Sequence, residues 1–206
     1  MVLAVVLLGV LVIAIFAIRR SILRAAGWAL VVNEPVETAD VIVLAFNSDF
    51  AGMFEISDLV HGGIASRVAV FADPPDAVDR EFIRRGIPYL DAAARSVRQL
   101  KVLGVDTIEE IPRNVPGTED IGRVLPGWCD QRGFRSVVVV SPSDHSRRLR
   151  RVLHRSMKGH QTRITVRYAR YLEFDPDRWW ESHGGIRTEV EELEKLLFDV
   201  VRHPIS

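Results

Sequence analysis

The chain has a single cysteine, Cys129, in 206 residues. No internal disulfide can form, so cysteine usage assigns no redox compartment. Neither charge is in excess: Lys+Arg and Asp+Glu both number 27, and nothing global calls for a polyanionic partner. Paired-cysteine and HExxH spacings are missing, and so is the G-x-S-x-G elbow of a serine hydrolase. His183 with Glu181 and Glu189 has ligand-type side chains, but without a metal-site spacing the segment reads as a solvated loop. No metal and no cofactor is assigned. Internal repeats, low-complexity tracts and interdomain linkers are absent as well.

What is present suits one domain with an appendage, since 48% of the residues are hydrophobic and can form a sizeable core. The appendage is Val2 to Ile18, seventeen consecutive apolar or glycine residues, at the short end of the ~17–25 that span a bilayer. Arg19, Arg20 and Arg24 stop the run. It has no basic region before it and no small-residue cleavage site after it, so it reads as a retained, single-pass transmembrane helix. Ser21 to Val32 continues as helix, with Trp28 suited to the lipid–water interface. The expected division is therefore 1–32 as anchor and juxtamembrane helix, 33–206 as the folded domain, with the membrane as a partner. Arginines behind the span place that domain in the cytoplasm by the positive-inside rule.

Beyond residue 33, short β-branched runs alternate with helical patterns. Strands are predicted at Val41–Phe46, Arg67–Phe71, Asp106–Ile111, Ser136–Val140 and Arg163–Tyr168. Between them lie helices at Phe50–His61, Asp76–Arg85, Asp91–Leu103, Thr118–Arg132 and Asp144–Lys158, with Thr118 and Asp144 as caps. A last amphipathic helix places Val190, Leu193, Leu197 and Val200 on one face. This alternation predicts an α/β fold, a Rossmann-like three-layer sandwich around a mostly parallel sheet of about five strands.

Such sheets bind ligands outside the carboxyl ends of their strands, where loops meet the free N–H groups of helix N-termini. That rule selects Asn47 and Ser48, Asp73, Thr118, and the segment Ser141 to His145. In the last of these, Ser141, Ser143 and His145 precede Arg147 and Arg148, a set suited to phosphate or carboxylate. On spacing alone, Asp144 as a simple helix cap and the arginines as a solvated face is the slightly favoured reading. Trp179 and Trp180 fit either a hydrophobic plug or a pocket wall.

Charge is segregated along the chain. Arg132 to Arg170 holds eleven Lys/Arg and one acid, and Tyr171 to Asp199 nine acids and three bases. The basic helix has no interleaved aromatics and no nucleic-acid motif, so no nucleic acid is expected; anionic lipid headgroups or the chain's own acidic C-terminal helix are its partners.

Glu37-Thr-Ala-Asp-Val-Ile-Val-Leu, Pro116-Gly-Thr-Glu-Asp, Val138-Val-Val-Ser-Pro-Ser-Asp-His-Ser-Arg-Arg, and Glu189 with Lys195 resemble the SanA, ElyC and YdcF family of bacterial envelope-associated proteins. The resemblance runs over the soluble region and the apolar N-terminus. It implies ligand-site roles for Ser141, His145, Arg148 and, in the last helix, Glu189, a part in envelope barrier or cell-wall precursor metabolism, and a domain facing away from the cytoplasm, against the charge rule. The family's glycines after the first two strands are replaced by Ala45-Phe46-Asn47-Ser48 and Ala72-Asp73-Pro74, and its two asparagines around Thr118 are lost. Three functions follow as expectations. One is binding of an anionic or phosphorylated small molecule. The second is a hydrolase or transferase with His145 as general acid or base and Arg148 holding developing charge. The third is a non-catalytic scaffold with a decayed pocket.

Overall fold

A computed structural model describes residues 18–45, 49–114 and 117–204. In chain order these form α1 (18–30), β1 (Val41–Leu44), α2 (Asp49–His61), β2 (Arg67–Ala72), α3 (Ala77–Arg84) and α4 (Ala92–Val102). They continue with β3 (Thr107–Pro112), α5 (Thr118–Arg132), β4 (Ser136–Ser141), α6 (Ser146–Ser156), β5 (Arg163–Tyr168), a 3-10 turn at Trp179–Glu181, and α7 (His183–Arg202).

The five strands make one wholly parallel sheet in the order β3-β2-β1-β4-β5. Its centre is buried on both faces, which is why β4 reads as an unbroken valine run. Val137 and Val139 point into one core with Leu125, Leu149 and Leu153. Val138 and Val140 point into the other with Ile56 and Leu100. Helices α5 and α6 thus cover one face, and α2 and α4 the other. Gly122 lets α5 and α6 approach closely: a Cβ there would stand 2.7 Å from Val152 Cγ1. The order reverses between β1 and β4, so the crevice beside their carboxyl ends is the natural ligand position.

Two predicted caps move. The N-cap of α5 is Gly117, which makes Thr118 the first helical residue, and α6 begins at Ser146 with His145 as an N-cap that makes no side-chain cap bond. Glycine at the α5 cap, with φ 134°, spares the Thr118 hydroxyl from capping.

The membrane assignment is corrected. Among the described residues no helix is long and apolar enough to cross a membrane, so the single-pass localisation and the membrane as partner are withdrawn. All of the Val2–Ile18 run except Ile18 lies outside the described residues. Hydropathy cannot show what the helix behind that run packs against, and the structure supplies it: α1 docks on the domain. Leu30, Val31 and Val32 are buried. Trp28, expected at a lipid–water interface, donates its indole N–H to Asp177 Oδ1 at 3.0 Å; Arg24 pairs with the same oxygen at 2.9 Å. Trp179 Nε1 donates to Leu23 O at 2.8 Å.

Helix α7 also departs from its expected orientation. Its apolar side is largely outward, with Val190, Leu197 and Val200 exposed, whereas Glu189 and Asp199 are buried. Charge explains this inversion. The acidic side of α7 lies on the basic side of α6, where Asp199 pairs with Arg151 at 2.6 Å and with Arg155 at 3.0 Å. Once desolvated, these pairs are costly to break, and they hold the helix by its polar face.

Candidate functional site

A cavity of about 680 Å³ opens beside the carboxyl end of β4, lined by the starts of α5 and α6, the loop after β5, and α7. Thr118 comes from the first turn of α5, His145 and Arg148 from the start of α6, and Glu192 and Lys195 from α7.

These side chains form one hydrogen-bonded chain. Arg148 donates from NH1 to Thr118 Oγ1 at 3.0 Å, and Thr118 Oγ1 is 3.1 Å from His145 Nε2. On the other side of the ring, His145 Nδ1 lies 3.3 Å from Glu192 Oε2. Arg148 NH2 is 2.8 Å from the same Nδ1 and donates to Glu192 Oε2 at 3.2 Å. Lys195 Nζ donates to Glu192 Oε1 at 2.7 Å. The ring nitrogens take their roles from the tautomer: with the proton on Nδ1, Nδ1 donates to Glu192 Oε2 and Nε2 accepts from the Thr118 hydroxyl; with the proton on Nε2, Nδ1 accepts from Arg148 and Nε2 donates to Thr118 Oγ1.

Three carboxyls of this region behave differently. Burial raises Glu192, but the hydrogen bonds from His145 and Lys195 and the charge of Arg148 outweigh it and hold the group at about 2. Asp144, on the cavity wall, is raised by burial and by the neighbouring Glu192 charge. Glu189 is fully buried on α7, and neither of its carboxyl oxygens has a hydrogen-bond partner. Burial and the proximity of Asp144 push it up to about 7.

The other sequence candidates are dispersed, and Glu189, expected to bind ligand, is the buried carboxyl just described and does not line the cavity. Ser141 is buried and donates to Pro142 O at 3.1 Å. Ser143 lines a neighbouring cavity of about 310 Å³ with Trp28, Tyr168 and Phe174, its buried Oγ without a partner. Arg147 turns away from the site and caps the C-terminus of α1, donating to Val31 O at 2.8 Å and to Ala29 O. Asp73 pairs with buried Arg113, Nε to Oδ1 at 2.5 Å, and the guanidinium lies over Phe71 at 4.7 Å from the ring centroid. Asn47 and Ser48 lie outside the described residues. Trp179, bonded to Leu23, does not fill the cavity, and Thr118, His145 and Arg148 are the candidates brought together.

Glu192 and Lys195 were not among the predicted site residues. The signal for them was the order of a basic segment followed by an acidic one, because a helix that docks by ion pairs brings its own carboxylates over the strand ends.

Comparison with known families and with curated proteins finds no match. Among solved structures, a universal stress protein in complex with cAMP aligns over 65% of this chain and 99% of its own, at 14% identity and a TM-score of 0.38.

Proposed function

We propose that the protein is a hydrolase or transferase acting on an anionic small molecule, phosphate- or carboxylate-bearing, with His145 as general base and acid. One observation carries this reading: Thr118 Oγ1, His145 and Glu192 stand in line at 3.1 and 3.3 Å, with the Arg148 guanidinium 3.0 Å from the same hydroxyl. A nucleophile-type oxygen, a base and an orienting carboxylate from three different helices make the recurrent arrangement of nucleophilic catalysis.

The chemistry follows from the bonds. As Thr118 Oγ1 bonds to phosphorus or acyl carbon, its proton passes to Nε2 of His145. The bond from that centre to the leaving oxygen breaks, and the imidazolium gives the proton to that oxygen. A water or acceptor hydroxyl, deprotonated by the same nitrogen, then takes the group from Thr118; the bond to Oγ1 breaks and the imidazolium returns the proton to that oxygen. Glu192 stabilises the imidazolium between the two transfers. Arg148 and the free N–H groups in the first turn of α5 face the negative charge that develops. The resemblance to the SanA, ElyC and YdcF family supports the same corner of the fold and suggests cell-wall precursors as the first natural substrates to try.

The test uses p-nitrophenyl phosphate, p-nitrophenyl acetate and a uridine-diphosphate-linked sugar as probes. His145→Ala and Thr118→Val are expected to lower turnover by ~10²- to 10⁴-fold while the chain stays folded by circular dichroism, and Thr118→Ser to retain most of it. Equal turnover in the native chain and both variants, or none by the native chain on any probe, overturns the proposal.

A further inference from the structure

On the opposite face of the sheet, α2 and α4 enclose an apolar groove of about 430 Å³. Met53 is its buried floor, while Phe50, Phe54 and Val102 on its walls are 61%, 47% and 83% exposed. Phe50 and Phe54 are one helical turn apart, so both rings stand on the same side of α2. A contiguous apolar surface of this kind, left open to water, marks a binding site more often than a scatter of single residues does.

The rim carries the second observation. Arg95 and Arg98, three residues apart on α4, line the same groove. Neither makes an ion pair or a side-chain hydrogen bond among the described residues, although arginines elsewhere on the molecule, such as Arg84, Arg113, Arg148, Arg151 and Arg167, are paired. Two unpaired guanidiniums above an apolar floor are complementary to a ligand with one negative head and an apolar tail. Between Arg95 and Val102 the helix advances about 10 Å, at 1.5 Å per residue, which suits a chain of medium length.

We infer that the groove between α2 and α4 binds a medium-chain acyl carboxylate, its tail on Phe50, Phe54 and Val102 and its head on Arg95 and Arg98. The site is separate from the His145 cavity and does not depend on the reaction proposed there.

Displacement of dansyl-undecanoate from the full chain tests this. Laurate is expected to displace the probe at least tenfold more effectively than dodecanol or dodecyltrimethylammonium. The Arg95→Glu/Arg98→Glu double variant should weaken laurate at least tenfold, and Val102→Asp should weaken both laurate and dodecanol. All of these positions are exposed, and circular dichroism checks that the variants remain folded. His145→Ala should leave laurate displacement unchanged. Equal displacement by laurate and dodecanol, an unaltered double variant, or displacement by an acidic amphipathic peptide with no effect of laurate overturns the inference.

Discussion

Glu189 and Glu192 lie one turn apart on α7, within the same buried region, and their surroundings drive them in opposite directions. Glu192 meets His145, Arg148 and Lys195 and is held at about 2. Glu189 meets no hydrogen-bond partner and a second carboxyl, Asp144, and is pushed up to about 7. Desolvation penalises the charged form at both positions; partners decide which charge survives. A single helix therefore delivers an ionised carboxylate to the site and, beneath it, a carboxyl that holds its proton up to neutrality. Such separation of like groups by environment is a mark of functional sites.

The largest effect is expected from Glu192→Gln. Its folded value is depressed from 4.5 to about 2, so its stabilisation is present above pH 4.5 and is lost as pH falls towards 2. A shift of that size corresponds to about 3 kcal/mol. Urea unfolding at pH 7 should show a loss of this order, together with reduced turnover, since His145 loses its orienting acceptor. A variant as stable as the native chain would mean that Arg148 and Lys195 gain nothing from this carboxylate.

Glu189→Gln should act in a different pH window. Its folded value lies above the ordinary 4.5, so the native chain loses stability as pH rises from 4.5 to about 7, by about 3 kcal/mol, and changes little from this group above that. The amide does not titrate, so whatever its burial costs, the cost is the same at every pH. The expected result is a flattened profile between pH 4.5 and 7; an unchanged slope would show that Glu189 is already ionised in the folded chain. Asp144→Asn sharpens the point, because removing the neighbouring charge should move the upper edge of that window below 7.

Much of the fold was legible in the sequence because its signals are local. The valine run of β4 is buried on both faces, α5 spans Thr118–Arg132 and β5 Arg163–Tyr168 as expected, and the sheet has five parallel strands. His145, Arg148 and Thr118 were found by the rule that ligands sit at strand carboxyl ends. What escaped depends on tertiary partners. The apolar pattern of Val190, Leu197 and Val200 said which side of α7 was hydrophobic, but not that ion pairs to α6 would bury the other side. Arg147 and Arg148 are adjacent and chemically identical, yet only the position of α1 sends the first to cap a helix and leaves the second in the site. Hydropathy likewise measured the N-terminal run without showing that Trp28 and Arg24 would meet Asp177.

The smallest effect is expected at Lys195, and it tests how much of the contrast on α7 is made at the surface. Its ammonium is half exposed, so its bond to Glu192 is screened and contributes less than the interior partners do. Lys195→Ala should cost under ~1 kcal/mol at low ionic strength and less in 1 M salt. In the same variant the Glu192 carboxyl should titrate slightly above its native position by NMR, while the Glu189 titration stays put, since Lys195 is not among the groups that perturb it. A loss as large as that of Glu192→Gln would shift the origin of the low value from His145 and Arg148 to the helix surface, and with it the reason that Glu192 rather than Glu189 faces the imidazole.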